Sequence, residues 1–180
     1  MHYWTIKNAT TGFYEVKGSK FYSCAAPVPS EEAAGQVLAG LGNQYPRASH
    51  ICYAFKTGLH QPKTKCSDDG EPANTAGKPI LRHLEGAKLA DALIAVVRYF
   101  GGVKLGKGGL ISAYGNAAKQ ALAQAAVIQK QEMAELTLTI AYADYPVLLN
   151  TLKQQSLVIT SEQYARNGCR LTLSVPADET

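Results

Sequence analysis

The chain lacks most of the usual pointers to a function. No CxxC pair joins its four cysteines (Cys24, Cys52, Cys66 and Cys169), and their spacing fits neither a zinc site nor a disulfide framework. Reduced thiols in a cytoplasmic protein are the plain reading. No apolar run is long enough to span a bilayer; near the centre the longest is Ala92 to Val97. The opening stretch, Met1 to Lys7, is not an extended apolar segment, so no secretory signal is read there. No internal repeat or low-complexity tract occurs. Charged residues make up only 18% and hydrophobic residues 46%, which excludes bulk disorder and implies a packed core. A length of 180 residues allows one domain, or one medium and one small domain.

The charge that is present is unevenly placed. Residues 1–132 hold 15 Lys/Arg and 9 Asp/Glu, a net +6, whereas residues 133–180 hold 3 and 5, a net −2. The basic excess favours an anionic partner such as RNA, against the plainer alternative of a mildly basic surface.

Local patterns suggest the order of elements. Phe13 to Val16 and Phe21 to Ala26 read as a hairpin around Lys17-Gly18-Ser19-Lys20. Ser30 is an N-cap candidate, followed by Glu31 and Glu32 and a helix to Gly42-Asn43. His50 to Phe55 is a short strand. Thr57 to Lys78 reads as a long loop, of a length that suggests function or mobility. Pro79 opens a short helix. Asp91 to Val97 is a buried strand, and alanine-rich Leu110 to Gln129 a long helix. A polar break at residues 129–132 marks the domain boundary. Beyond it the order is β-α-β-β: Leu136 to Ile140, Ala143 to Gln155, then a hairpin centred on Asn167-Gly168.

Two glycine-bearing loops bracket the buried strand. The acidic one contains Asp68, Asp69, Gly70, Glu71, Pro72, Thr75 and Gly77. The basic one runs from Arg98 and Tyr99 through Gly101, Gly102, Lys104, Gly106, Lys107, Gly108 and Gly109 towards Tyr114. A glycine-rich turn from a strand into a helix exposes backbone amides, and with Lys104, Lys107 and Arg98 it suits a phosphate. The run Gly101-x-x-x-x-Gly106-Lys107 opens like a P-loop, but Gly108 stands where a magnesium-binding hydroxyl belongs. That counts against nucleotide hydrolysis and leaves a metal-free phosphate cradle open. Alternatively, the glycines only permit tight packing. Asp68, Asp69 and Glu71 could bind a hard cation or act in acid–base chemistry. The favoured reading is structural: pairing with Arg98 and capping of backbone amides. His50 reads as a hydrogen-bonded structural residue. Tyr99 and Phe100 could stack on bases, with at least one of them in the core. No catalytic set and no metal site can be assembled.

These strings, in this order and spacing, resemble the IMPACT/YigZ family: Asp68-Asp69-Gly70-Glu71-Pro72, Thr75-Ala76-Gly77, Arg98-Tyr99-Phe100-Gly101-Gly102, Lys104-Leu105-Gly106, Gly108-Gly109-Leu110 and Ala113-Tyr114. Lys17, Lys20, Phe21, Ala48, His50, Cys52, Tyr53 and Ala54 fit the same pattern. The resemblance covers about residues 12–128 and implies an α+β protein of two domains. Residues 1–132 would be similar to the second domain of small-subunit ribosomal protein five. Residues 133–180 would be ferredoxin-like but short of one helix and one strand. A truncated chain, or another chain completing an exposed sheet edge, would account for that.

The resemblance also links the chain to translational regulation, with no cofactor and no established catalytic residue. The expected function is a non-enzymatic binder of RNA or of a ribosome-associated factor, through Arg98, Lys104, Lys107 and the loop glycines, with no membrane role. The alternatives are an enzyme acting on a phosphate or nucleotide, and a regulator working through a protein partner.

Overall fold

A computed structural model of the chain describes residues 1–177, so the end of the predicted second domain, 178–180, lies outside the described residues. The chain divides into two compact units. Tyr3–Gln129 forms one; Met1–His2 and the residues from Lys130 onward form the other.

The larger unit is built on a five-stranded sheet in the order β2-β3-β6-β4-β5, with every neighbouring pair antiparallel. Its strands are β2 (Thr10–Val16), β3 (Ser19–Pro27), β4 (His50–Thr57), β5 (Lys63–Ser67) and β6 (Ala92–Tyr99). β1 (His2–Ile6) pairs separately with β7 (Val127–Gln131). The predicted hairpin is present. Val16 pairs with Ser19, and Lys17 and Gly18 take φ of +48° and +76°, the primed two-residue turn that a twisted hairpin prefers.

Helices cover both faces of the sheet, which is why β6 at its centre reads as an unbroken apolar run. On one face, α2 (Gly77–Gly86) and α3 (Gly106–Ala123) place Ile80, Leu84, Leu110 and a row of alanines against Phe21, Ala25, Ile94 and Val96. Small side chains let α3 lie close; a Cβ on Gly12 would stand 2.6 Å from the Ala121 nitrogen. On the other face, α1 (Glu31–Gln44) lays Ala34 and Leu41 on Leu93, Ala95 and Val97. Ser30 caps it, accepting from the Ala33 N–H at 3.1 Å. α1 packs chiefly on β4 and β6, so this face of β2 is not roofed by a helix.

The smaller unit has the expected β-α-β-β order: β8 (Met133–Ile140), α4 (Tyr145–Gln154), β9 (Val158–Ala165) and β10 (Gly168–Pro176). β10 lies between β8 and β9, antiparallel to both, a split β-α-β arrangement.

Four sequence expectations are corrected. The stretch from Thr57 to Lys78 is not all loop, because β5 extends β4 as an edge strand. The long helix starts at Gly106 rather than Leu110 and ends at Ala123 rather than Gln129. Residues 127–131 leave it to form β7. The second hairpin turns at Arg166-Asn167, with Gly168 already in β10.

Candidate functional site

The two glycine-bearing loops meet at one end of the large sheet, and the carboxylates of the acidic loop are each committed locally. Asp68 accepts from the N–H groups of Asn74 (2.8 Å), Ala76 (2.9 Å) and Gly77 (2.8 Å), so it caps the start of α2 from outside the helix. Burial would raise its carboxyl, but donation by these three amides, aided by Lys78, outweighs that and holds it below the usual carboxylate value. Asp69, at φ +43°, accepts the Ile51 N–H at 2.6 Å and ties the loop to β4. Its carbonyl accepts from His50 Nδ1 at 2.7 Å, which fixes the proton on that nitrogen. His50 is therefore a hydrogen-bonded positioning residue.

Glu71 anchors a buried polar cluster. One of its oxygens, Oε1, accepts from Arg98 Nη1 at 2.5 Å and from the Tyr114 hydroxyl at 2.7 Å. Arg98 is 5% exposed, Glu71 9% and Tyr114 fully buried. The guanidinium sits 5.5 Å from the centre of the Phe21 ring and 5.6 Å from that of Phe100. Its Nη2 donates to Ser19 at 3.3 Å, and its Nε has no partner. Burial, with Cys52 and Glu71 close by, drives the Tyr114 phenol well above its usual range. Burial likewise raises the Cys52 thiol, which donates to the Asp68 carbonyl at 3.0 Å. Neither group is primed as a nucleophile. Among the described residues, no three His, Cys, Asp or Glu side chains converge as metal ligands.

Arg98, assigned from sequence to an anionic partner, is thus enclosed and neutralised by Glu71. Lys104 and Lys107 are placed differently. Both are exposed, and among the described residues neither has an ion-pair partner. They flank the start of α3, whose N-cap position, Leu105, supplies no side-chain hydrogen bond. Two helices therefore begin at this surface. The first amides of α2 are satisfied by Asp68, and those of α3 have no such cap. Pro72, Phe100, Leu105 and Leu110 line the cleft of about 370 Å³ between the loops, with Lys104 and Lys107 beside them. Phe100 is 50% exposed, and Tyr99 is half-buried with its hydroxyl on the Pro46 carbonyl at 3.0 Å.

The glycines divide by cause. A Cβ on Gly101 would stand 2.0 Å from the Gly18 carbonyl carbon, so the basic loop rests directly on the β2–β3 turn. Gly102 and Gly106 take φ of +85° and +70°. A Cβ on Gly108 would meet nothing within 4 Å, so packing does not explain that glycine. Thr75 closes the acidic loop by donating to the Pro72 carbonyl at 2.6 Å.

Sequence reasoning missed Ser19, whose hydroxyl also accepts the Gly101 N–H at 3.2 Å. It missed Ser49, which accepts the Phe100 N–H at 3.0 Å. Both are lone serines at strand edges, and no local pattern marks them.

Known proteins place this site in a family. The Impact N-terminal domain matches residues 17–122, which include both loops. IMPACT family member YigZ of Escherichia coli (strain K12) is 39% identical over 145 residues, covering 79% of this chain and 71% of that protein. An IMPACT family member encoded in the pol 5′ region of Thermus thermophilus is 38% identical over 161 residues, covering 89% and 86%. A crystal structure described as that of an hypothetical protein superposes with a TM-score of 0.82 at 33% identity, over 99% of this chain and 87% of the other. The chain belongs to the IMPACT family.

Proposed function

We propose that this protein is a non-enzymatic binder of RNA within the translation machinery, which it engages through the start of α3. The observation that carries the reading is the contrast between the two loops. Every carboxylate of the acidic loop is committed to an amide or to Arg98, so none neutralises Lys104 or Lys107. Lys104, Gly106 and Lys107 line one cleft at the start of α3, which has no side-chain cap, and helix N-termini of this kind accept phosphate oxygens. Gly108, in open space, leaves room for a phosphate to approach the backbone. Membership of the IMPACT family supports a role in translational regulation. The cysteines are free thiols, in keeping with a cytoplasmic setting, and no helix among the described residues is long and apolar enough to cross a membrane.

The test is binding of a short oligouridylate across a salt series. Affinity is expected to fall with salt, and Lys104→Ala and Lys107→Ala are each expected to flatten the log–log slope by about 0.7, one single-strand phosphate contact. Absence of binding at low salt, or an unchanged slope in the double variant, would overturn the proposal.

A further inference from the structure

The sheet face left open beside α1 carries an aromatic surface that the α3 cleft does not use. Phe13 and Tyr22 are cross-strand partners with ring centres 5.1 Å apart. Tyr22 also meets Tyr45 at 5.1 Å and Tyr99 edge-on at 6.1 Å. Tyr22, Tyr45 and Tyr99 pack on the margin of the α1-side core, and their outer faces stay open. Phe13 is 47% exposed, and Tyr22 and Tyr45 each line two open cavities of about 770 and 520 Å³. The first extends to Gln44, Gln120 and Gln124. The second extends to Lys20, Tyr99 and Phe100, and Phe100 in turn lines the α3 cleft. The three depressions thus make a run of neighbours that share walls, Tyr22 and Tyr45 between the first two and Phe100 between the second and third, with glutamine amides at one end, aromatic rings in the middle and lysines at the other.

We infer that this run is the path of a single-stranded RNA segment that leaves the α3 phosphate site and crosses the open sheet face; the inference rests on the function proposed above. Charge complementarity selects a polyanion. No acidic residue lines either cavity, and Lys17, Lys20 and Arg47 are exposed around them. Glu15 is the acidic residue of the hairpin, and it sits directly opposite Lys20. Aromatic rings give bases a sequence-tolerant stacking surface, and glutamine amides suit the hydrogen-bonding edges of unstacked bases. A duplex keeps its bases stacked on one another and cannot use these rings. An acidic peptide would satisfy the lysines but has no comparable use for both rings and amides.

The experiment uses the full chain and fluorescence anisotropy with oligouridylate, oligodeoxythymidylate and a duplex RNA. The variants are Phe13→Ala, Tyr22→Leu and Lys104→Ala. Phe13 is already half in solvent and leucine keeps apolar bulk at Tyr22, and unchanged urea midpoints verify that both variants fold. Each aromatic variant is expected to weaken oligouridylate binding roughly ten-fold, the effect of losing one base–ring stack, at an unaltered salt slope. Lys104→Ala should instead lower the slope. Oligouridylate should bind at least ten-fold more tightly than the duplex and no more weakly than oligodeoxythymidylate.

Equal or tighter binding of the duplex would overturn the inference, as would preference for the deoxy strand. Unchanged affinity in both aromatic variants, alongside a flattened slope in Lys104→Ala, would refute the aromatic path and leave the α3 site standing. No RNA binding by the unmodified chain would overturn both.

Discussion

Glu71→Gln removes one negative charge from a place where nothing else can replace it. Arg98 is 5% exposed, and the other groups around its guanidinium are neutral: the Ser19 hydroxyl and the rings of Phe21 and Phe100. Breaking a buried ion pair from one side costs about 3–5 kcal/mol, because the remaining charge stays desolvated. The amide that replaces the carboxylate still offers an oxygen to Arg98 and Tyr114, which moves the expectation to the lower end, about 3 kcal/mol. For a domain whose whole stability is about 5–15 kcal/mol, that is a large fraction.

The measurement is urea unfolding at neutral pH, comparing midpoints at constant m. A double-mutant cycle with Arg98→Met should return a coupling of about 2 kcal/mol or more, since removing both charges leaves no orphan. A loss under about 1 kcal/mol, the range of exposed pairs, would mean that Arg98 reaches water. The assignment of Arg98 as a structural cation would then be wrong.

Asp68→Asn tests the cap on α2. The folded carboxyl lies below its ordinary value, so the unfolded chain binds more protons, and stability from Asp68 is complete above about pH 4. It is lost as pH falls through the lowered folded value, so the gap between wild-type and variant urea midpoints should shrink on acidification below about pH 4. Tyr114→Phe removes a donor to a buried carboxylate and should cost about 1.5–3 kcal/mol by the same unfolding assay. Gly101→Ala forces a Cβ into the Gly18 backbone and should destabilise by about 1–3 kcal/mol or prevent folding, read as a lowered midpoint or loss of soluble protein. Gly108→Ala meets open space inside a helix and should raise stability by about 0.5–1 kcal/mol.

The elements most legible in the sequence are those whose local pattern and tertiary role agree. Ser30 with its two glutamates marks the start of α1, and Lys17-Gly18 suits a primed turn. β5 escaped notice because Lys63–Ser67 is a polar edge strand that borrows its structure from β4. The start of α3 was hidden by Gly106, Gly108 and Gly109, poor helix formers held by the loop rather than by propensity. Its end was overrun because the stretch after Ala123 favours helix, yet the Ala126 carbonyl accepts the Lys7 N–H where the chain joins β1.

At the site, pairing of Arg98 with the acidic loop was among the sequence readings. The Tyr114–Glu71 bond, across 43 positions, had no local sign. The aromatic surface was out of reach for another reason. It exists because α1 roofs only part of a sheet face, and no residue pattern records that.

The seating of Gly101 on Gly18 has a practical consequence for anyone wishing to modify this protein. Exposed two-residue turns are the usual choice for grafting an epitope or a tag. Lys17-Gly18 looks suitable by that standard, yet its backbone is the floor on which the cationic loop lies. An insertion there would lever Phe100 away from the Arg98 guanidinium without touching either loop in sequence. Arg166-Asn167, exposed between β9 and β10, is the safer graft point.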